Sequence, residues 1–108
     1  MAYYITLMEA KSAMLFYSEQ TLPRSKAIEL VRRFDDDLRL RNGQVINFFS
    51  SKQEDLMLVS KYRVVALPTL VILDDNGRVI MRIVNNIEAQ YIIDLCTKSV
   101  DLTPSKEI

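Results

Sequence analysis

The chain alternates between short apolar runs and stretches in which apolar residues recur every three or four positions. Ala13-Met14-Leu15-Phe16-Tyr17 is a continuous apolar run ending in polar residues, the pattern of a strand buried on both faces. Beyond it, Pro23 suits the first position of a helix, where its missing N–H costs nothing, and a Ser or Thr before it can cap. Ala27, Ile28, Val31, Phe34 and Leu38 then form one apolar stripe, and Asn42-Gly43 is the expected stop. Val45-Ile46-Asn47-Phe48-Phe49 reads as a second strand. Ser50 or Ser51 can cap a short helix carrying Leu56 and Val59 and ending near Tyr62. Thr69-Leu70-Val71-Ile72-Leu73 is a third strand, rich in β-branched residues. Asp74-Asp75-Asn76-Gly77 predicts a hairpin turn with positive φ at both Asn76 and Gly77, returning through Arg78–Val84. A last helix, capped by Asn85 or Asn86, has Ala89, Ile92, Ile93 and Cys96 on one face. Residues 1–12 read equally as a short helix or the start of a strand.

Strands alternating with helices imply a parallel half-sheet, to which the hairpin adds an antiparallel edge. Helices on both faces make a three-layer α/β/α sandwich with a mixed sheet, a C-terminal hairpin and a final helix. Residues 1–98 form the expected domain, and the polar segment 99–108 is expected to be a flexible tail.

Composition narrows the chemistry. A chain of 108 residues suits one domain, and 49% hydrophobic residues supply a core. Lys and Arg number 14, as do Asp and Glu, so net charge gives no reason to expect nucleic acid or an anionic membrane as partner. No run approaches the roughly 18 apolar residues of a membrane span. The start, Met1-Ala2-Tyr3-Tyr4-Ile5-Thr6, lacks the basic and continuous apolar regions of a signal peptide, so the cytoplasm is the expected compartment. There is no His, which removes the commonest general base and metal ligand. The single Cys excludes an intrachain disulfide and a Cys metal cluster. No metal and no cofactor are expected. Asp35-Asp36-Asp37 points around a helix axis rather than converging, so it reads as a solvated face. Asp74–Gly77 lacks the length and distal Glu of a calcium loop. Cys96, on an apolar stripe, reads as a core residue rather than a redox sensor.

The segment Lys61-Tyr62-Arg63-Val64-Val65-Ala66-Leu67-Pro68-Thr69, its following strand and Asn76-Gly77 resemble the thioredoxin family. The likeness covers roughly residues 13–99, weakly before Leu58 and well after it. It implies a cis peptide at Leu67–Pro68, with Leu67, Pro68, Thr69 and Tyr17 beside a groove that accepts extended substrates. The family's redox motif, two Cys separated by two residues, falls on Thr21-Leu22-Pro23-Arg24, where the Pro is kept and both Cys are absent. A shift of one residue would put Ser25 at the second position, again without a thiol. The buried carboxylate that assists the family's dithiol falls at or beside Leu15. Disulfide exchange needs a thiolate, and a Thr21 hydroxyl with no base beside it cannot replace one. The resemblance therefore implies a redox-inactive member without catalytic residues. Arg24, Ser25 and Lys26, at the start of the first helix, are candidate contacts for an anion or an acidic peptide. A capped surface helix start explains them as well.

Two function classes stay open. The first is a non-catalytic module that binds a protein or peptide in the groove between Thr21–Arg24 and Leu67–Pro68. The second is a thiol-related enzyme: a glutathione-dependent transferase using the Thr21 or Ser25 hydroxyl to stabilise a thiolate, or a disulfide oxidoreductase acting without the Cys pair.

Overall fold

The computed structural model describes residues 9–85. Within them the order is β1 (Ser12–Tyr17), α1 (Arg24–Leu38), β2 (Gln44–Asn47), α2 (Gln53–Lys61), β3 (Thr69–Leu73) and β4 (Val79–Val84). Residues 1–8, the expected last helix with Ala89, Ile92, Ile93 and Cys96, and the segment 99–108 lie outside the described residues.

The strands form one sheet in the order β2-β1-β3-β4. β1 runs parallel to β2 and antiparallel to β3, and β3 is antiparallel to β4. The parallel half-sheet expected from alternating elements is therefore confined to β1 and β2. The chain from Tyr62 to Pro68 brings β3 back in at the edge where β2 ended, and a strand entering there runs the opposite way.

Alternation along β1 and β3 sends side chains to opposite faces. Ala13, Leu15, Tyr17, Leu70 and Ile72 pack with Ala27, Leu30, Val31 and Phe34 of α1. Met14, Phe16, Val71 and Leu73 pack on the other face with Ile46, Tyr62 and Val64, where Leu58 and Val59 of α2 join them. A helix thus covers each face, giving a three-layer α/β/α sandwich. The central strand β1 is buried on both sides, as its unbroken apolar run requires.

The local punctuation differs from expectation in four places. First, Pro23 is the residue before α1, not its first residue: its carbonyl accepts the first intrahelical bond, from the Ala27 N–H at 3.0 Å, and no side chain caps the helix. Second, α1 ends before Asn42-Gly43, at Arg39, which takes the left-handed conformation with φ 56°. α2 closes the same way on Arg63, φ 51°. In both, the next residue, Leu40 or Val64, is buried and donates its N–H back to the last helical turn, at Asp35 or Val59. Burial of that apolar residue offsets the roughly 1–2 kcal/mol of a left-handed non-glycine. Gly43 instead serves close approach: a Cβ there would collide with Val31 Cγ1 and lie 2.7 and 2.8 Å from the Asp35 carboxylate oxygens. Third, β2 stops at Asn47, so Phe48 and Phe49 are not strand residues. The Asn47 Oδ1 accepts the Phe49 N–H at 2.9 Å, and its carbonyl accepts the Ser50 N–H at 3.0 Å, which turns the chain out of the sheet. Fourth, in the hairpin only Gly77 has positive φ, at 79°. The Gly77 N–H reaches the Asp74 carbonyl, and Asp74 bonds Arg78 across a bulged close rather than a two-residue turn. The Asp74 carboxylate accepts the Arg78 and Asn76 N–H groups at 2.9 Å, and the bond from Arg78 is the chief reason its pKa lies below the usual carboxylate value.

Candidate functional site

The strand register gathers three connections at one edge of the sheet. Tyr17 pairs with Asn47, and Phe16 pairs with Thr69. The end of β1, the end of β2 and the start of β3 therefore share that edge, which carries Ser18–Pro23, Phe48–Lys52 and Val65–Pro68. The Asn85 N–H donates to the Pro68 carbonyl at 2.9 Å and ties the end of β4 to the same place. The Leu67–Pro68 peptide is cis.

At the first connection, the turn is closed on itself. The Thr21 and Leu22 N–H groups donate to the Ser18 carbonyl at 3.0 and 2.9 Å. The Thr21 hydroxyl accepts the Ser18 N–H at 3.2 Å, donates to the Ser18 carbonyl at 3.1 Å, and lies 3.0 Å from the Ser18 hydroxyl. With the Ser18 hydroxyl as donor, both lone pairs and the proton of Thr21 are engaged. Thr21 thus folds back on β1 rather than capping α1, and Ser50 does not cap α2 either. The Ser50 hydroxyl accepts the Lys52 N–H at 3.1 Å and donates to Asp55 at 2.6 Å. Leu22 packs against the α1-side core, and Pro23, Ser25 and Lys26 are exposed.

Arg24 and Tyr17 are brought together. The Arg24 Nη1 donates to the Tyr17 hydroxyl at 3.1 Å. The Tyr17 side chain belongs to the α1-side core, whereas Leu67 packs against the core on the opposite face. The two do not pack in one cluster. Thr69 is buried, and its hydroxyl donates to the Ala66 carbonyl at 2.6 Å, which braces the bend before β3.

Tyr17 and Arg24 also line an open cleft of about 570 Å³ with Glu19, Val45, Asn47, Phe49, Ser50, Ser51, Lys52 and Asp55. Leu67, Pro68, Thr69, Ser25 and Lys26 are not among its walls. The β2–α2 side of this cleft went unseen in the sequence because Phe48-Phe49 reads as a continuation of the strand. The available signal was Asn47, a residue whose side chain commonly closes a turn on its own backbone. Two large apolar side chains at the same edge face solvent: Phe49 is 73% exposed and Val65 92%.

Among the described residues no group of three or more His, Cys, Asp or Glu side chains is placed to hold a metal ion. No helix there is long and apolar enough to cross a membrane.

No protein-family model matches the chain, and no curated protein does. Solved structures do match. Thioredoxin 1 from the thermophilic eubacterium Thermosipho africanus TCF52B superposes with a TM-score of 0.62 over 85% of this chain and 97% of that one, at 15% identity. The fold is thioredoxin-like. Two further thioredoxin-like neighbours agree. DsbH oxidoreductase has a TM-score of 0.56 at 14% identity, over 94% of this chain and 80% of its own. StoA from Bacillus subtilis has a TM-score of 0.51 at 13% identity, over 80% and 81% of the two chains. At such identities the likeness carries the fold alone. The single Cys, at position 96, leaves this thioredoxin-like chain without any pair of thiols.

Proposed function

We propose that this chain is a non-catalytic, thioredoxin-like binding module, which takes a protein or an extended peptide at the edge formed by Ser18–Arg24, Phe48–Lys52 and Val65–Thr69. The observation that carries this reading is the closed state of the first connection. Thr21 stands where the resemblance puts a nucleophile, and its hydroxyl is fully engaged with Ser18. A hydroxyl so bound is not available to attack a disulfide or to steady a substrate thiolate, which weighs against an enzyme acting through Thr21. The same edge keeps open features that suit recognition: the exposed Phe49 and Val65 side chains and the Arg24 guanidinium. Arg24, Ser25 and Lys26 give the start of α1 a positive character that favours an acidic partner. The same reading takes the chain as a cytoplasmic protein, in keeping with a single Cys that can form no intrachain disulfide.

Two measurements test this. Insulin-disulfide reduction by the unaltered protein is expected to stay at the uncatalysed rate, and the double variant Thr21→Cys with Arg24→Cys is expected to acquire some activity. Catalytic turnover by the unaltered protein would overturn the proposal. In the second, amide shifts are followed while a random peptide library is added. Perturbations are expected at Tyr17–Arg24, Phe48–Lys52 and Val65–Thr69, and no binding, or binding confined to another surface, would overturn it.

A further inference from the structure

We propose that the cleft between the β1–α1 and β2–α2 connections is a carboxylate-binding site, in which Arg24, Lys52 and the Tyr17 hydroxyl hold one acidic group of the bound chain. The choice of acidic side chain as the bound group rests on the binding reading above; the cleft's affinity for a carboxylate does not.

Arg24 and Lys52 come from different elements and line the same cleft. Among the described residues neither has a carboxylate within ion-pair distance. Two cations on one cleft, neither ion-paired to a described carboxylate although Glu19 and Asp55 also line it, leave a local site of attraction for an anion. The geometry of Arg24 is fixed by its bond to Tyr17, at 3.1 Å from Nη1 to the hydroxyl oxygen. Tyr17 is only 1% exposed, so the oxygen that anchors Arg24 sits on a packed ring rather than a mobile side chain. That hydroxyl accepts from Arg24, and nothing among the described residues accepts its proton. A buried tyrosine usually finds a partner for that proton. An anion oxygen in the cleft can take a bond from Tyr17 and another from Arg24, while Lys52 supplies the second charge from the opposite wall.

The charge of the whole lining selects the class of anion. Glu19 and Asp55 also line the cleft, so its four charged residues sum to zero. Asp55 accepts the Ser50 hydroxyl, which keeps one of its oxygens engaged. Such a lining suits a singly charged carboxylate, whose binding leaves one net negative charge, better than a phosphate carrying nearly two. The volume of about 570 Å³ and the open mouth admit a side chain attached to an extended backbone. Of the first turn of α1 only Arg24 lines the site; Ser25 and Lys26 do not.

The probes are the capped residues acetyl-Glu-amide and acetyl-Gln-amide, followed by amide shifts in the full chain, with acetyl-Gly-Gly bearing a free carboxyl end as a second arm. Acetyl-Glu-amide is expected to shift Tyr17, Arg24, Asn47 and Lys52 and to bind roughly tenfold tighter than acetyl-Gln-amide. That advantage is expected to fall as salt rises, to vanish in Arg24→Gln and Lys52→Gln, to shrink in Tyr17→Phe, and to persist in the control Lys61→Gln. Equal binding of acetyl-Gly-Gly would show that a chain terminus is held as well as a side chain, and would support the carboxylate site in its broader form. Equal affinity of the Glu and Gln probes, tighter binding of acetyl-Lys-amide, or loss of the advantage in Lys26→Gln with Lys52→Gln unaffected would overturn the proposal. Library peptides that bind the edge without preferring Glu over Gln would sink this site and leave the binding module standing. Carboxylate binding with no peptide binding would do the reverse.

Discussion

The two helices of the described residues cover opposite faces of one sheet, and they do so in different ways. α1 sends Ala27, Leu30, Val31 and Phe34 into the core, and Phe34 is fully buried. α2 has no buried residue: Leu58 and Val59 are half-buried, while Leu56 and Met57 face solvent at 45% and 61% exposure. The loops on the α2 side carry the burial instead, through Tyr62 and Val64. One face therefore holds the fold together through an amphipathic helix, and the other through the segment leading into β3. The second arrangement leaves the outer surface of α2 and Phe49–Lys52 of the loop before it outside the core cluster, which is where the cleft opens.

The largest expected effect separates the two layers directly. Phe34→Ala should cost about 3–5 kcal/mol, as a fully buried aromatic leaving a cavity under α1. Leu58→Ala, half-buried on α2, should cost only about 1 kcal/mol. Urea unfolding of both variants checks this, and similar losses would show that the two faces contribute alike. A smaller effect probes the join between α1 and β2. Gly43→Ala should destabilise by about 1–3 kcal/mol, because the new methyl meets Val31 and Asp35 at once. An unchanged urea midpoint would mean that the loop moves aside without cost.

The mildest expected effect is electrostatic and also sits at that join. Asp35 accepts the Gly43 N–H at 3.1 Å through one oxygen, and its other oxygen is shielded from solvent without a partner. Desolvation is the main reason its carboxyl is held above the ordinary value; the Gly43 bond opposes the shift and neighbouring Asp36 adds to it. A raised folded-state value means that the native chain keeps this proton where the unfolded chain has lost it. Stability from this group is then full below the unfolded carboxylate value and falls as pH rises through the folded one. Asp35→Asn keeps an acceptor for Gly43 and removes the charge. It should raise the urea midpoint at pH 7 and lose that advantage at pH 3. A gain of equal size at both pH values would show that the charge is not its cause.

Much of the frame was legible along the chain. The apolar run of β1 predicts burial on both faces, and the spacing of Ala27, Val31 and Phe34 fixes the inner face of α1, to which the fold adds Leu30. The errors lie where backbone and side chains compete for the same hydrogen bonds. Asn47 ended β2 two residues early, and Thr21 turned back to Ser18. Arg39 and Arg63 took a conformation usually left to glycine, because Leu40 and Val64 had a core to enter. None of these outcomes follows from periodicity, which counts apolar positions and is blind to which donor a side chain will choose.

The sequence by itself determined the layers and excluded a pair of thiols and any imidazole. Period-two and helical patterns are local, and a second thiol or an imidazole that is not encoded cannot be supplied by folding. Only the tertiary structure decided that β3 runs against β1, and which residues meet at the shared edge. Strand direction depends on where the preceding loop returns the chain. That Arg24 and Lys52 line one cleft depends on the register between β1 and β2, which sets Tyr17 beside Asn47. Contacts between residues so far apart along the chain are fixed by packing, and their local sequence carries no mark of them.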